Sequence, residues 1–151
     1  MSRFFRSVAV AVAVAGIALT TLVAPAAAVD PVAGARYKGH LLPTWTETTA
    51  VRFKVSKSGN WVTGMYVGPY PVSNCGGGGD APAQSTSKAA VTNGSFKAHV
   101  TYRSDTGKLL AKATVKGTFS KHGREQGTVQ STIFDDASCS SGVYKYATKR
   151  Q

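Results

Sequence analysis

Acidic side chains are scarce in this 151-residue chain and cysteines scarcer still. The two cysteines, Cys75 and Cys139, show no CxxC spacing and no clustered histidines, which argues against a reactive thiol pair or a zinc site. The three histidines, His40, His99 and His122, fall on separate segments, and no serine stands in a G-x-S-x-G elbow. His40 and His99 could share an outer face, but two ligands without a third make a poor metal site. Asp135 and Asp136 are adjacent, so in an extended strand they point to opposite faces and cannot flank one bond. The run Gly76 to Gly79 lacks the lysine and hydroxyl residue of a P-loop and reads as a flexible connection anchored by Cys75. These absences lean against catalysis and imply no cofactor and no metal. A hydrolase with an unrecognised site stays open, because folds host sites that sequence hides.

The one long apolar run comes first. Arg3 and Arg6 precede a stretch from Val8 to Ala28 without a charged residue, the order of a secretory signal. Small residues at Ala26 and Ala28, after Pro25, predict cleavage after Ala28. The competing reading is a retained anchor, since the run approaches the ~20 residues of a membrane span. With cleavage, no integral span remains. Removing 28 residues from 151 leaves 123, one ordinary domain. The division is then signal peptide 1–28, a short leader 29–34 and a single β domain 35–151. An exported chain is secreted or envelope-associated, in surroundings where Cys75 and Cys139 read as one disulfide.

No helical period holds for three turns. Short alternating segments rich in Val, Thr, Phe and Tyr predict strands at Arg36 to His40, Ala50 to Val55, Trp61 to Val67, Phe96 to Arg103, Leu109 to Phe119 and Gly127 to Phe134. Weaker ones lie near Lys88 to Thr92 and Val143 to Thr148. Three connections share the form Ser-x-x-Gly: Ser56 to Gly59, Ser104 to Gly107 and Ser120 to Gly123. Each predicts a hairpin turn with serine accepting a backbone N–H, and Asn93-Gly94 predicts a fourth. The expectation is all-β: a single antiparallel β-sandwich or flattened β-barrel of about eight strands, with one disulfide. Gly68 to Ser87 reads as a long irregular loop.

Alternation assigns Tyr37, Val51, Phe53, Val55, Phe96, Ala98, Val100, Tyr102, Ala111, Ala113, Val115 and Phe119 to the core. Their neighbours Arg36, Lys38, Arg52, Lys54, Lys97, Arg103, Lys112 and Lys116 then face solvent. All seven acidic residues, Glu125 included, are expected in the leader, loops and turns. Eighteen Lys and Arg less two in the signal leave 16 against seven acids, a formal charge of +9. The outer surface is therefore expected to be one positive face for an anionic envelope polymer, a polysaccharide or extracellular nucleic acid. The competing reading is that these cations protect sheet edges and cover apolar surface. A second functional reading is a protein-directed inhibitor or interaction module using loop 68–87. Trp45, Trp61, Tyr66, Tyr70, Tyr144 and Tyr146 lie outside the alternating core and either stack on ligands or close the ends of that core.

Tyr37-Lys38-Gly39, Val51 to Ser56, Asn93 to Phe96, Gly117 to Ser120, Gly127-Thr128 and Cys139 to Gly142 occur in that order. In this pattern the chain resembles small exported β-rich proteins of actinobacteria that have no assigned activity. The resemblance implies a sandwich or barrel with the first cysteine bridged to the second, and it transfers no catalytic residue. Tyr146 stands where such proteins are expected to have tryptophan, and the Gly76 to Gly79 run is a second departure.

Overall fold

The computed structural model describes residues 27–42, 50–68, 83–85, 87–133 and 138–151. They form nine strands: β1 (Arg36–Leu42), β2 (Ala50–Val55), β3 (Trp61–Val67), β4 (Ala83–Gln84), β5 (Ala89–Thr92), β6 (Ser95–Arg103), β7 (Leu109–Ser120), β8 (Arg124–Ile133) and β9 (Ser140–Arg150). Every pairing is antiparallel, and the order β2-β1-β9-β8-β7-β6-β4-β3-β5 is closed by pairings β2–β3 and β6–β5. Because β4 and β5 each bridge β3 and β6, they occupy one position of an eight-position ring. The fold is a closed up-and-down barrel, which decides between the two expected closures. β4 lies inside the stretch expected to be irregular, and β8 starts three residues before its expected beginning.

Turn chemistry explains the meander. Asn93 (φ 49°) and Gly94 (φ 67°) are both left-handed, as a two-residue hairpin matched to strand twist requires. Ser56 Oγ accepts the Trp61 amide at 3.2 Å and Ser104 Oγ accepts the Lys108 amide at 3.1 Å, as expected of those turns. Ser120 departs: its hydroxyl donates to the Arg124 carbonyl (3.3 Å), and in the Lys121–Gly123 turn both His122 (φ 66°) and Gly123 (φ 65°) are left-handed.

All twelve residues that alternation assigns to the core are buried inside the barrel. At the end bearing the β2–β3, β5–β6 and β7–β8 turns, four rings pack together. Tyr37 stacks on Phe53 at 5.1 Å, Tyr37 meets Phe119 edge-on at 5.3 Å, and Phe96 meets Phe53 at 5.4 Å. Each such ring contributes about 1.5–3 kcal/mol by burial, plus its edge-to-face contacts. The leader packs against this end: the Val29 amide donates to the Phe119 carbonyl (3.0 Å), and Val29 and Ala35 rest on the core. Tyr146 belongs to the core, Tyr144 is half-buried, and Trp61 is 42% exposed. Trp45 and Tyr70 lie outside the described residues.

Cys139 is buried. Cys75, its partner in the expected bridge, lies outside the described residues, as do most of loop 68–87, Asp135, Asp136 and residues 1–26. Among the described residues no helix is long and apolar enough to cross a membrane.

Candidate functional site: a cation-walled groove on the barrel

Outward exposure holds for all eight cations singled out from the sequence, but one common face does not form. Arg36, Lys38, Arg52 and Lys54 lie on β1 and β2, whereas Lys97, Arg103, Lys112 and Lys116 lie on β6 and β7. β1 and β6 are four positions apart on a ring of eight, and so are β2 and β7, which places them on opposite sides. Lys54 therefore points away from Lys97 and Lys112. Alternation fixes whether a side chain is inside or outside, and closure of the sheet turns the outward direction from strand to strand.

Register shows what does come together, since residues directly opposite one another share a face. One row runs Arg52, Lys38, Lys149, Arg124 across β2, β1, β9 and β8, every step a direct pairing. Arg36 pairs with Lys54 beside it. The Arg52 guanidinium also lies over the Tyr66 ring, 4.0 Å from its centroid, which extends the row to β3. Four residues further along β9 and β8, a second row runs Lys145, Thr128, Lys116, Lys97 across β9, β8, β7 and β6. Between the rows lies a third, His40, Ala147, Gln126, Thr118, Ser95, in unbroken register across five strands.

These three rows make a groove. Its floor is made of the uncharged side chains Ala147, Gln126, Thr118 and Ser95, with the imidazole of His40 at the β1 end. One wall carries Lys38, Lys149 and Arg124, and the other carries Lys145, Lys116 and Lys97. Two surface hollows fall along it and share Gln126. Five strands at ~4.8 Å spacing give a length of about 19 Å, and walls four residues apart along a strand are separated by about 13 Å. Among the described residues no carboxylate lies on the outer face of any strand: Asp30 is in the leader, Asp105 in a turn, and Glu125 inside the barrel.

Glu125 corrects the expectation that every acid lies off the strands. It sits on β8 opposite Phe119 and is fully buried. Tyr146 Oη donates to one carboxylate oxygen at 2.6 Å and Thr148 Oγ1 donates to the other at 2.7 Å. Desolvation raises its pKa from 4.5 to about 7, against the two hydrogen bonds that favour the charged form. Burial and the adjacent carboxylate push the Tyr146 phenol well above its ordinary value. Gly117 and Gly127, paired with each other, make the room. A methyl group at 117 would collide with the Glu125 carboxylate and the Phe96 ring, and one at 127 with the Lys116 carbonyl and the Tyr146 ring. Sealed in this way, Glu125 has no access to a substrate on the surface.

His40 on β1 and His99 on β6 lie on opposite sides of the ring, so they cannot share a metal. Among the described residues no group of three His, Cys, Asp or Glu comes together. Sequence reasoning missed Arg124, Lys145 and Lys149, the residues that build one wall and start the other: Arg124 fell between the Ser120 to Gly123 turn and the strand expected from Gly127, Lys149 lay past the end of the strand expected at Val143 to Thr148, and Lys145, inside that weaker strand, was not weighed with the other cations. No family model matches the chain, and neither the curated proteins nor the solved structures compared with it give a match.

Proposed function

We propose that this protein is an exported, non-catalytic module that binds a linear polyanion along the β1–β9–β8–β7–β6 groove. The observation supporting this reading is the register itself: six cations form two walls around a floor without lysine, arginine or carboxylate, with no described carboxylate on the outer strand faces to neutralise them. Each anionic group held by a wall residue releases a counterion, so affinity falls steeply with salt. Export and envelope association belong to the same proposal, supported by the signal-like first 28 residues. The bridge between Cys75 and Cys139 belongs to it as well.

The test separates this groove from net charge. A wall variant, Lys38→Gln/Lys149→Gln/Lys116→Gln, is compared with a control of equal charge, Lys57→Gln/Lys88→Gln/Lys108→Gln, whose lysines lie in turns and connections away from the groove. Binding to a labelled polyanion across a salt series is expected to show the wall variant losing about two to three units of log–log salt slope, at ~0.7–0.9 per contact. The control keeps its slope. Equal losses in both variants would reduce the interaction to non-specific charge and defeat the proposal.

A further inference from the structure

The walls account for charge, and the floor has its own chemistry. Gln126 offers two donors and an acceptor from an exposed amide. Ser95 and Thr118 hydroxyls lie 3.1 Å apart, so one hydrogen bond between them leaves one hydrogen and several lone pairs for a ligand. His40 Nδ1 is shielded from water and has no hydrogen-bond partner among the described residues. Donors and acceptors are thus mixed along the floor, and the imidazole is its one ring.

That mixture discriminates among polyanions. A polyphosphate presents acceptors alone, so the floor's own acceptors would be desolvated against lone pairs and left unpaired, a costly outcome. A single-stranded nucleic acid is held by stacking successive bases on several aromatic side chains, and this floor has one ring, the half-buried His40, with Ala147, Gln126, Thr118 and Ser95 adding no further platform. A sugar ring edged with hydroxyls both donates and accepts. Acidic groups on its two edges reach walls on both sides. Resting on the polyanion reading above, we propose that the groove's ligand is an acidic glycan, a chain of hydroxyl-bearing sugars with carboxylate or sulfate groups. The floor reads the hydroxyls and the walls hold the acids.

The experiment uses the full exported chain and three probes at equal charge concentration: a polyuronate, long-chain polyphosphate and single-stranded DNA. The floor variant is Thr118→Val/Gln126→Met, near in shape and unable to exchange hydrogen bonds in the same way. It is expected to lose about tenfold or more in polyuronate affinity, the effect of one to three hydrogen bonds, while polyphosphate affinity stays within about twofold. The wall variant lowers both. If the floor variant weakens both probes alike, or neither, the glycan assignment fails while the wall result still upholds polyanion binding. Tighter binding of DNA or polyphosphate than of polyuronate also overturns it. If wall substitutions change nothing, the underlying reading fails instead. Thr118→Val and Gln126→Met made singly keep the comparison available if the double variant does not fold, and each is expected to show the same preference at smaller amplitude.

Discussion

Glu125 should make the barrel's stability depend on pH in a direction opposite to that of most carboxylates. Its folded-state pKa, about 7, is raised above the ordinary 4.5 because burial penalises the charged form more than Tyr146 and Thr148 favour it. A group raised in this way gives stability that is fully present below the unfolded pKa and is lost as pH rises through the folded one. The window is therefore pH 4.5 to 7. A gap of two and a half units at about 1.36 kcal/mol each gives roughly 3 kcal/mol, an order-of-magnitude figure. Other groups titrate in the same window, so the quantity to measure is the difference between the natural chain and Glu125→Gln, which is neutral at every pH and nearly the same shape. Urea unfolding from pH 4 to 8 should show the variant gaining on the natural chain by roughly 3 kcal/mol across the series, on the order of 10 °C in Tm. A difference curve that is flat between pH 4.5 and 7 would refute the reasoning. So would one that slopes the other way, since it would mean that the two hydroxyls hold the carboxylate charged.

Gly117→Ala should cost about 1–3 kcal/mol in the same urea assay, because the added methyl meets both the Glu125 carboxylate and the Phe96 ring; an unchanged midpoint would show that this end of the barrel is loosely packed. Lys149→Gln should raise stability by some tenths of a kcal/mol at low salt while weakening polyanion binding, because Lys149 faces Lys38 and Arg124 directly, and the gain should vanish in high salt. Reduction of a Cys75–Cys139 bridge, which would close a loop of 64 positions, should lower stability by roughly 4 kcal/mol on a chain-entropy argument. Peptide mapping without reductant should find the two cysteines joined, and recovery of two free thiols would exclude the bridge.

Alternation read the inside of the barrel well because it depends on local geometry alone: Phe96, Ala98, Val100 and Tyr102 must share a side whatever the rest of the chain does. Azimuth is a different quantity. Which way Lys54 points relative to Lys97 depends on how many strands separate them and on whether the sheet closes, and neither is local. The groove needed still more, since Lys149 stands beside Lys38 only once the register of β1 against β9, more than a hundred residues apart in sequence, is known. Glu125 was legible in principle. Once the turn is taken as Lys121 to Gly123, Ser120 pairs with Arg124 and Phe119 with Glu125, and a residue opposite a core phenylalanine shares its side. The polar run Arg124-Glu125-Gln126 looked too much like loop for that step. β4 was hidden for the opposite reason: two residues carry no period.

Closure also bears on why so many cations line up on these strands. Lysine on an exposed strand ordinarily keeps an open edge from pairing with another chain, and this was one half of the competing account of the basic positions, the other being cover for apolar surface. A closed ring has no free edges to protect. Here β1, β7, β8 and β9 are paired on both sides at the basic positions, so edge protection cannot explain Lys38, Lys116, Lys145 or Lys149. Solubility would be served by cations placed at a distance from one another or interspersed with acids. Instead Lys38 faces both Arg52 and Lys149, Lys149 faces Arg124, and Lys97 faces Lys116. Like charges directly opposite one another destabilise a sheet, so this arrangement costs stability in the unliganded protein. Neutralisation by a bound polyanion would turn each of those pairings from a repulsion into a shared contact. The register that is unfavourable for the empty barrel is thus the register that binding would relieve.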